Sequence, residues 1–268
     1  METLLTASFF ILGLLVGSFL NVIALRFGFH EAKRSRSACQ ACQTTLVWYE
    51  LIPLVSYLAL SGRCRTCGSG LSLQYPLVEL VTGILFALSF LSALPVVGAP
   101  HVFGLLFLLV FWASFVVLVT YDLKHTLVPR AFAVSLVVSA FLVRAGEAWA
   151  LDTPLPLYDA ALGAVALALS ILAIVLITRG RGMGLGDVYV VGALGALFGL
   201  ARGMDVLLLA FWLGAVVGIA LLAAQKRVTM KSEVPFVPFM FVAALLGAFT
   251  GLSAFGLVNV LVSLWFPY

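Results

Sequence analysis

Eight apolar runs follow one another along the chain, at roughly 4–25, 76–95, 102–121, 131–149, 158–178, 188–201, 204–224 and 237–265. Crossing about 30 Å of hydrocarbon takes about 20 residues of helix, and most of these runs are long enough. The sixth holds about 14 residues, so it is predicted to be tilted, broken or lining a cavity. The last contains "GAFTGLSAFG" and fits either one tilted helix or a bent pair. Between the first two runs lies the one long polar stretch, 26–75. The pattern predicts an all-α polytopic membrane protein of about eight transmembrane helices, with a small loop domain between helices 1 and 2. It divides the chain into a first anchor at 1–25, a polar domain at 26–75 and a membrane domain at 76–268.

Composition agrees: 63% of the 268 residues are apolar and 10% charged, with a mean hydropathy of +1.19. Soluble domains carry about 25% charged residues. Orientation follows from Lys and Arg, which stay on the cytoplasmic side. Only Glu2 precedes the first run, whereas Arg26, Lys33, Arg34 and Arg36 follow it. This is the polarity of a retained anchor with its N-terminus outside, not of a cleaved signal. The loops 26–75, 122–130, 179–187 and 225–236 then fall inside, and they hold 13 of the 15 basic residues. Arg144 and Arg202 are the exceptions. The net charge of +4 needs no nucleic acid to explain it. Four GxxxG pairs, Gly13/Gly17, Gly195/Gly199, Gly214/Gly218 and Gly247/Gly251, predict close helix packing within the chain, and oligomerisation is not indicated.

All four cysteines lie in the polar loop, as Cys39-Gln-Ala-Cys42 and Cys64-Arg-Thr-Cys67. Two CxxC pairs in tandem form the pattern of a tetrahedral all-thiolate zinc site. Four protein ligands leave no open position, so the expected role is structural. Disulfides are the alternative and conflict with a cytoplasmic loop, where thiols stay reduced. Between the pairs, "LVWYELIPLVSYLALSGR" is apolar and is predicted to lie on the membrane surface or against the bundle, with Glu50 its one acid. Glu79 lies deeper, at the start of the second span, and intramembrane acids are functional candidates by default.

Two acids stand at predicted inside ends of spans: Asp122 in "VVLVTYDLKHTLVP" and Asp187 in "MGLGDVYVV". Both fall at one membrane depth, so helix packing can bring them together. Two carboxyls in a confined site share a proton, and such a pair can activate water while polarising a peptide carbonyl. Glycines at Gly182, Gly184 and Gly186 would let an extended substrate approach the acid. The alternative pairs Asp122 with Lys124 or Arg130, and Asp187 with Arg179 or Arg181.

Taken in order, "GSFLNVIALR", the CxxC insertion with "IPLVSYL", "GRC", "YPLVELVTG", "YDLKHTLVP", "MGLGDV" with "GALGALFG", and "VPFVPF" resemble the type IV prepilin leader peptidases. These are bifunctional GxGD-type aspartic proteases of bacterial inner membranes. The resemblance implies cleavage of prepilin or pseudopilin leaders at the cytoplasmic membrane edge, followed by N-methylation of the new N-terminus from S-adenosylmethionine. It places Asp122 and Asp187 as the catalytic pair, and Cys39, Cys42, Cys64 and Cys67 as Zn2+ ligands in a methyltransferase domain at 26–75. It associates Gly62 with methyl transfer, with Glu50 and Glu79 as further candidates. Such a substrate would keep a basic leader in the cytoplasm and an apolar segment in the bilayer, so its scissile bond would meet the pair at that boundary.

Three positions depart from the family pattern: Tyr189 stands for a usual lysine, Arg130 for an acidic or amide residue, and Val237 for a glycine. Arg179 or Arg181 could replace the missing cation. An ion-coupled transporter, a non-catalytic scaffold and a peptidase without methyltransferase are the competing readings.

Overall fold

A computed structural model describes residues 2–26, 37–93, 98–180, 183–223, 235–254 and 256; most of them are helical, whereas 37–73 is largely turns with two isolated bridges. No β-strand occurs among these residues, and six of their helices are long and apolar enough to cross a membrane. The chain forms two compact units, Met1–Leu94 and Pro95–Tyr268.

The first unit contains α1 (Glu2–Arg26), a 3-10 turn (Trp48–Leu51), the short α2 (Val55–Ala59) and α3 (Gln74–Ala93). The first GxxxG pair explains how α1 and α3 meet. A Cβ on Gly13 would lie 2.6 Å from the Thr82 carbonyl oxygen, and one on Gly17 would lie 2.8 Å from Cα of Glu79. Buried Asn21 adds the polar link, donating to the carbonyls of Gly17 (3.3 Å) and Tyr75 (3.2 Å). Small residues plus an interhelical amide are what joins helices that lipid cannot drive together.

The second unit contains α4 (Ala99–His125), α5 (Arg130–Ala150), α6 (Leu155–Thr178), α7 (Leu185–Ala223) and α8 (Val237–Phe249). Its core is aromatic: Phe111, Trp112 and Phe115 of α4 are fully buried, and Phe241 of α8 meets Phe115 edge-on at 5.2 Å. Two of the predicted spans, 188–201 and 204–224, fall in α7, which is broken at Gly199 (φ 75°, ψ −177°). There the helix doubles back. A Cβ on Gly203 would lie 3.3 Å from Cα of Gly195, although eight residues of straight helix span about 12 Å. Gly195 in turn packs backbone to backbone against Gly163 of α6. The short sixth run is therefore one arm of a helical hairpin. The last run is also interrupted: α8 ends at Phe249, with Gly251 in the left-handed region (φ 67°).

The break at Gly199 needs a partner for the backbone it frees, and Asp159 of α6 supplies it by accepting the N–H of Leu200 at 3.2 Å. Arg144 of α5 donates to Asp159 (3.2 Å) and to the Pro156 carbonyl (3.4 Å), and pairs with Glu147. Arg144, one of two departures from the inside bias of positive charge, is thus neutralised by two carboxylates. Asp159→Ala should destabilise the protein in detergent by about 1–2 kcal/mol, the usual cost of a lost helix cap. Asp159→Asn keeps the acceptor and should recover more than half of that loss in a thermal melt.

Candidate active site

Asp122 lies in the last turn of α4 and Asp187 in the first turn of α7, 65 residues apart in sequence. The second unit brings both onto one cavity of about 1180 Å³. They are 5% and 9% exposed and lie within electrostatic range of each other. Each carboxylate accepts one backbone N–H: Asp122 Oδ2 from Val237 at 3.2 Å, and Asp187 Oδ2 from Gly184 at 3.0 Å. Among the described residues neither has an ion-pair partner. Pairing with Lys124, Arg130 or Arg179 does not occur, and Arg181 lies outside the described residues.

Local sequence explains both positions. Gly184 precedes α7, and Asp187, three residues on, reaches back to its N–H while donating its own N–H to the Gly184 carbonyl at 3.1 Å. This is one half of a capping box: Gly184 has no side chain to return the bond, and its carbonyl takes the Asp187 N–H instead. Val237 opens α8, so its N–H has no partner within the helix. The two glycines serve different ends. A Cβ on Gly184 would meet nothing closer than 3.8 Å, whereas one on Gly186 would collide with the side chain of Val128, in the loop between α4 and α5. Gly184 leaves space beside the acid; Gly186 admits the protein's own loop. Gly182 lies outside the described residues.

Tyr189 and Arg130 both line the cavity, so Arg130 is a cation on its wall, and Arg179 is not among the lining residues. Val237 is fully buried and contributes its backbone, which tolerates its replacing a glycine. Sequence reasoning missed Val128 and the Val237 N–H. The prolines of "VPFVPF", which mark a helix start, were the available signal for the second.

In the first unit the four cysteines are free thiols, and all four Sγ atoms lie within 4.8 Å of one another. The Cys39–Cys67 and Cys42–Cys64 separations are 3.9 Å, close to the edge of about 3.8 Å that a tetrahedron of 2.3 Å zinc–sulfur bonds requires. The two knuckles share one backbone plan, shifted from Cys39 to Cys64. Cys39 N–H donates to Thr44 (3.0 Å) as Cys64 N–H does to Ser69 (2.8 Å), and Gln43 to Cys39 (3.0 Å) as Gly68 to Cys64 (2.9 Å). Gln43 and Gly68 both take positive φ. The Cys39 thiol is pushed down to about 6 by the N–H of Cys42 and the hydroxyl of Ser69, which favours the thiolate that binds metal.

Beside the knuckles a second cavity, of about 850 Å³, is lined by Glu50, Glu79, Tyr57 and Tyr75 among others. Both acids act as clamps. Glu50 pairs with Arg65 at 3.1 Å and accepts the Val47 N–H at 2.8 Å. Glu79, 7% exposed, accepts the N–H of Leu54 at 2.9 Å. Leu54 has φ 59° and ψ −48°, and Val55 N–H closes onto the Pro53 carbonyl at 2.6 Å. This is a classic γ-turn, a strained conformation worth about 1–3 kcal/mol. Gly62 also has positive φ (66°), and a Cβ there would sit 2.8 Å from the Tyr57 hydroxyl. Any side chain at position 62 therefore displaces a tyrosine that lines the cavity. The apolar loop between the knuckles points outward, with Trp48 77% and Leu58 74% exposed, as a membrane-surface segment would.

With this geometry in place, comparison with known proteins assigns the class. Residues 11–93 match the bacterial peptidase A24 N-terminal domain and residues 107–219 match the type IV leader peptidase family. The chain is 32% identical to a prepilin leader peptidase/N-methyltransferase of Aeromonas salmonicida, over 87% of each chain. It is 31% identical to one of Bacillus subtilis, over 90% of this chain and 93% of that one. One of Myxococcus xanthus is 39% identical over 84% of this chain, which spans 65% of that relative's length. No solved structure matches. The chain belongs to the type IV leader peptidase family, as its motifs led one to expect.

Gly186→Ala should push Val128 out of place and lower the melting temperature, since overpacking costs about 1–3 kcal/mol. Adding Val128→Ala to that variant should restore most of the loss.

Proposed function

We propose that this multi-pass membrane protein cleaves the leader from prepilins or pseudopilins with Asp122 and Asp187, and then N-methylates the new N-terminal residue. The observation that carries the peptidase reading is the pair itself: two nearly buried carboxyls from different helices on one cavity, each with a single backbone donor and no counter-cation among the described residues. Structural ion pairs would have found a Lys or Arg. In the reaction one carboxylate takes a proton from water as the oxygen attacks the peptide carbonyl, and the other, protonated, donates to the carbonyl oxygen. Collapse of the tetrahedral intermediate passes a proton to the departing amine. The N–H groups of Gly184 and Val237 hold the carboxyls in place, and the open space beside Gly184 admits an extended substrate.

Methyl transfer is assigned to the loop 26–75 with the cavity it shares with α1 and α3. S-adenosylmethionine supplies the methyl group. The chain supplies a chamber of about 850 Å³, whose shape depends on Gly62, Glu50 and Glu79. Zinc on Cys39, Cys42, Cys64 and Cys67 fixes the loop and takes no part in the chemistry. The inside excess of Lys and Arg supports an inner-membrane setting with the N-terminus outside and both sites facing the cytoplasm.

Asp122→Asn and Asp187→Asn should each lower prepilin cleavage by about 10³-fold or more with an unchanged melting temperature, read by mass spectrometry of the substrate. Cleavage at the wild-type rate by either variant would remove the dyad. Native mass spectrometry should find one zinc per chain, absent from the Cys39→Ser/Cys64→Ser double variant.

A further inference from the structure

The cavity that holds Asp122 and Asp187 is larger than a peptide bond and a water need, and its far part is apolar. Away from the carboxyls it is lined by Ala133, Val137 and Phe141 of α5 and by Ala164, Ala168 and Leu172 of α6. Each set repeats every four residues, so each lies on one helix face and covers about 12 Å of helix length. The two faces form the walls of a wedge. At the end remote from the dyad, α5 and α6 are joined by the short segment 151–154 and clasped by Arg144 on Asp159 and on the Pro156 carbonyl. Towards the dyad no ion pair joins them among the described residues, and residues of both helices line the cavity. Val165, on the α6 rim, also lines the cavity and is 58% exposed, so the wedge opens sideways to lipid.

We propose that this wedge receives the transmembrane helix of the substrate, and that its six wall residues set which helices fit. The inference rests on the dyad being the peptidase site. A bond cut at the dyad belongs to a chain whose following residues enter the bilayer beside the carboxyls, and an apolar helix there meets the apolar wedge first. A helical turn about 10 Å wide and 5.4 Å tall fills roughly 400 Å³, so the 1180 Å³ cavity accepts two turns with room left at the carboxyls. Small residues, Ala133, Ala164 and Ala168, allow the close approach that joins helices in lipid.

Ala168→Trp fills the wedge without touching the dyad. It should raise KM for a full-length prepilin in bilayer nanodiscs about tenfold or more, with kcat within about threefold, while Leu169→Trp on the adjacent lipid-facing surface leaves both unchanged. An unchanged KM with Ala168→Trp would overturn the proposal. A second measurement places a photo-crosslinking residue at Val165 in the non-cleaving Asp122→Asn protein. Adducts with the first two turns of the substrate's apolar segment support the wedge; adducts with lipid alone, or with the leader alone, overturn it. Cleavage persisting in Asp122→Asn would instead sink the dyad, whatever the adduct shows, so the two failures are told apart.

Discussion

Hydrocarbon offers no hydrogen bonds, so each polar group in a membrane protein must be answered from within the chain. For two carboxyls to lie almost buried with no ion pair among the described residues, something else has to hold them, and here it is the beginnings of two helices. The first N–H groups of a helix are unpaired, and the helix dipole favours negative charge beside them. Asp187 takes the N–H at the start of α7 and Asp122 takes the one at the start of α8. The glycine-rich approach to Asp187 and the prolines around Val237 both follow from this. So does the seating of Val128, because α7 can begin beside α4 only if Gly186 lets the intervening loop pass.

Much of this was legible before any coordinates. Runs of apolar residues located the helices, and the shortness of 188–201 pointed to a break, because a span cannot be shorter than its membrane without bending or tilting. Four cysteines at CxxC spacing fixed their own cluster, since the chemistry of tetrahedral thiolates leaves little choice. The two aspartates could be found because charge is rare in such a chain. Backbone donors were the part that could not be read: a Val or a Leu carries no mark in sequence that its N–H will hold a carboxylate, as Val237 and Leu54 do. Gly186 misled for a related reason. A glycine beside a catalytic candidate suggests access for substrate, and only packing reveals that Val128 fills the space.

The first unit shows the same logic in the loop between α1 and α3. Its strained turn at Leu54 and its positive φ at Gly62 persist because Glu79, Tyr57 and the two knuckles over-determine them. The repeated hydrogen-bond plan of the knuckles escapes a sequence search because only the cysteines recur; the backbone path is common while the side chains differ. Gln43 and Gly68 illustrate this, occupying one conformation with unlike residues. Gly62 then acts as a spacer for Tyr57, which connects a residue known only by its family association to the wall of a chamber.

The hairpin in α7 has a consequence for the membrane itself. From Leu185 to the break at Gly199 the helix rises only about 21 Å, some 9 Å short of an average bilayer core of about 30 Å. The charged clasp of Arg144, Glu147 and Asp159 sits beside that break, and in a bilayer of average thickness headgroups or water would have to reach down to it. A thicker membrane would therefore load this hairpin more than a thinner one, which makes acyl-chain length a mechanical variable for the protein.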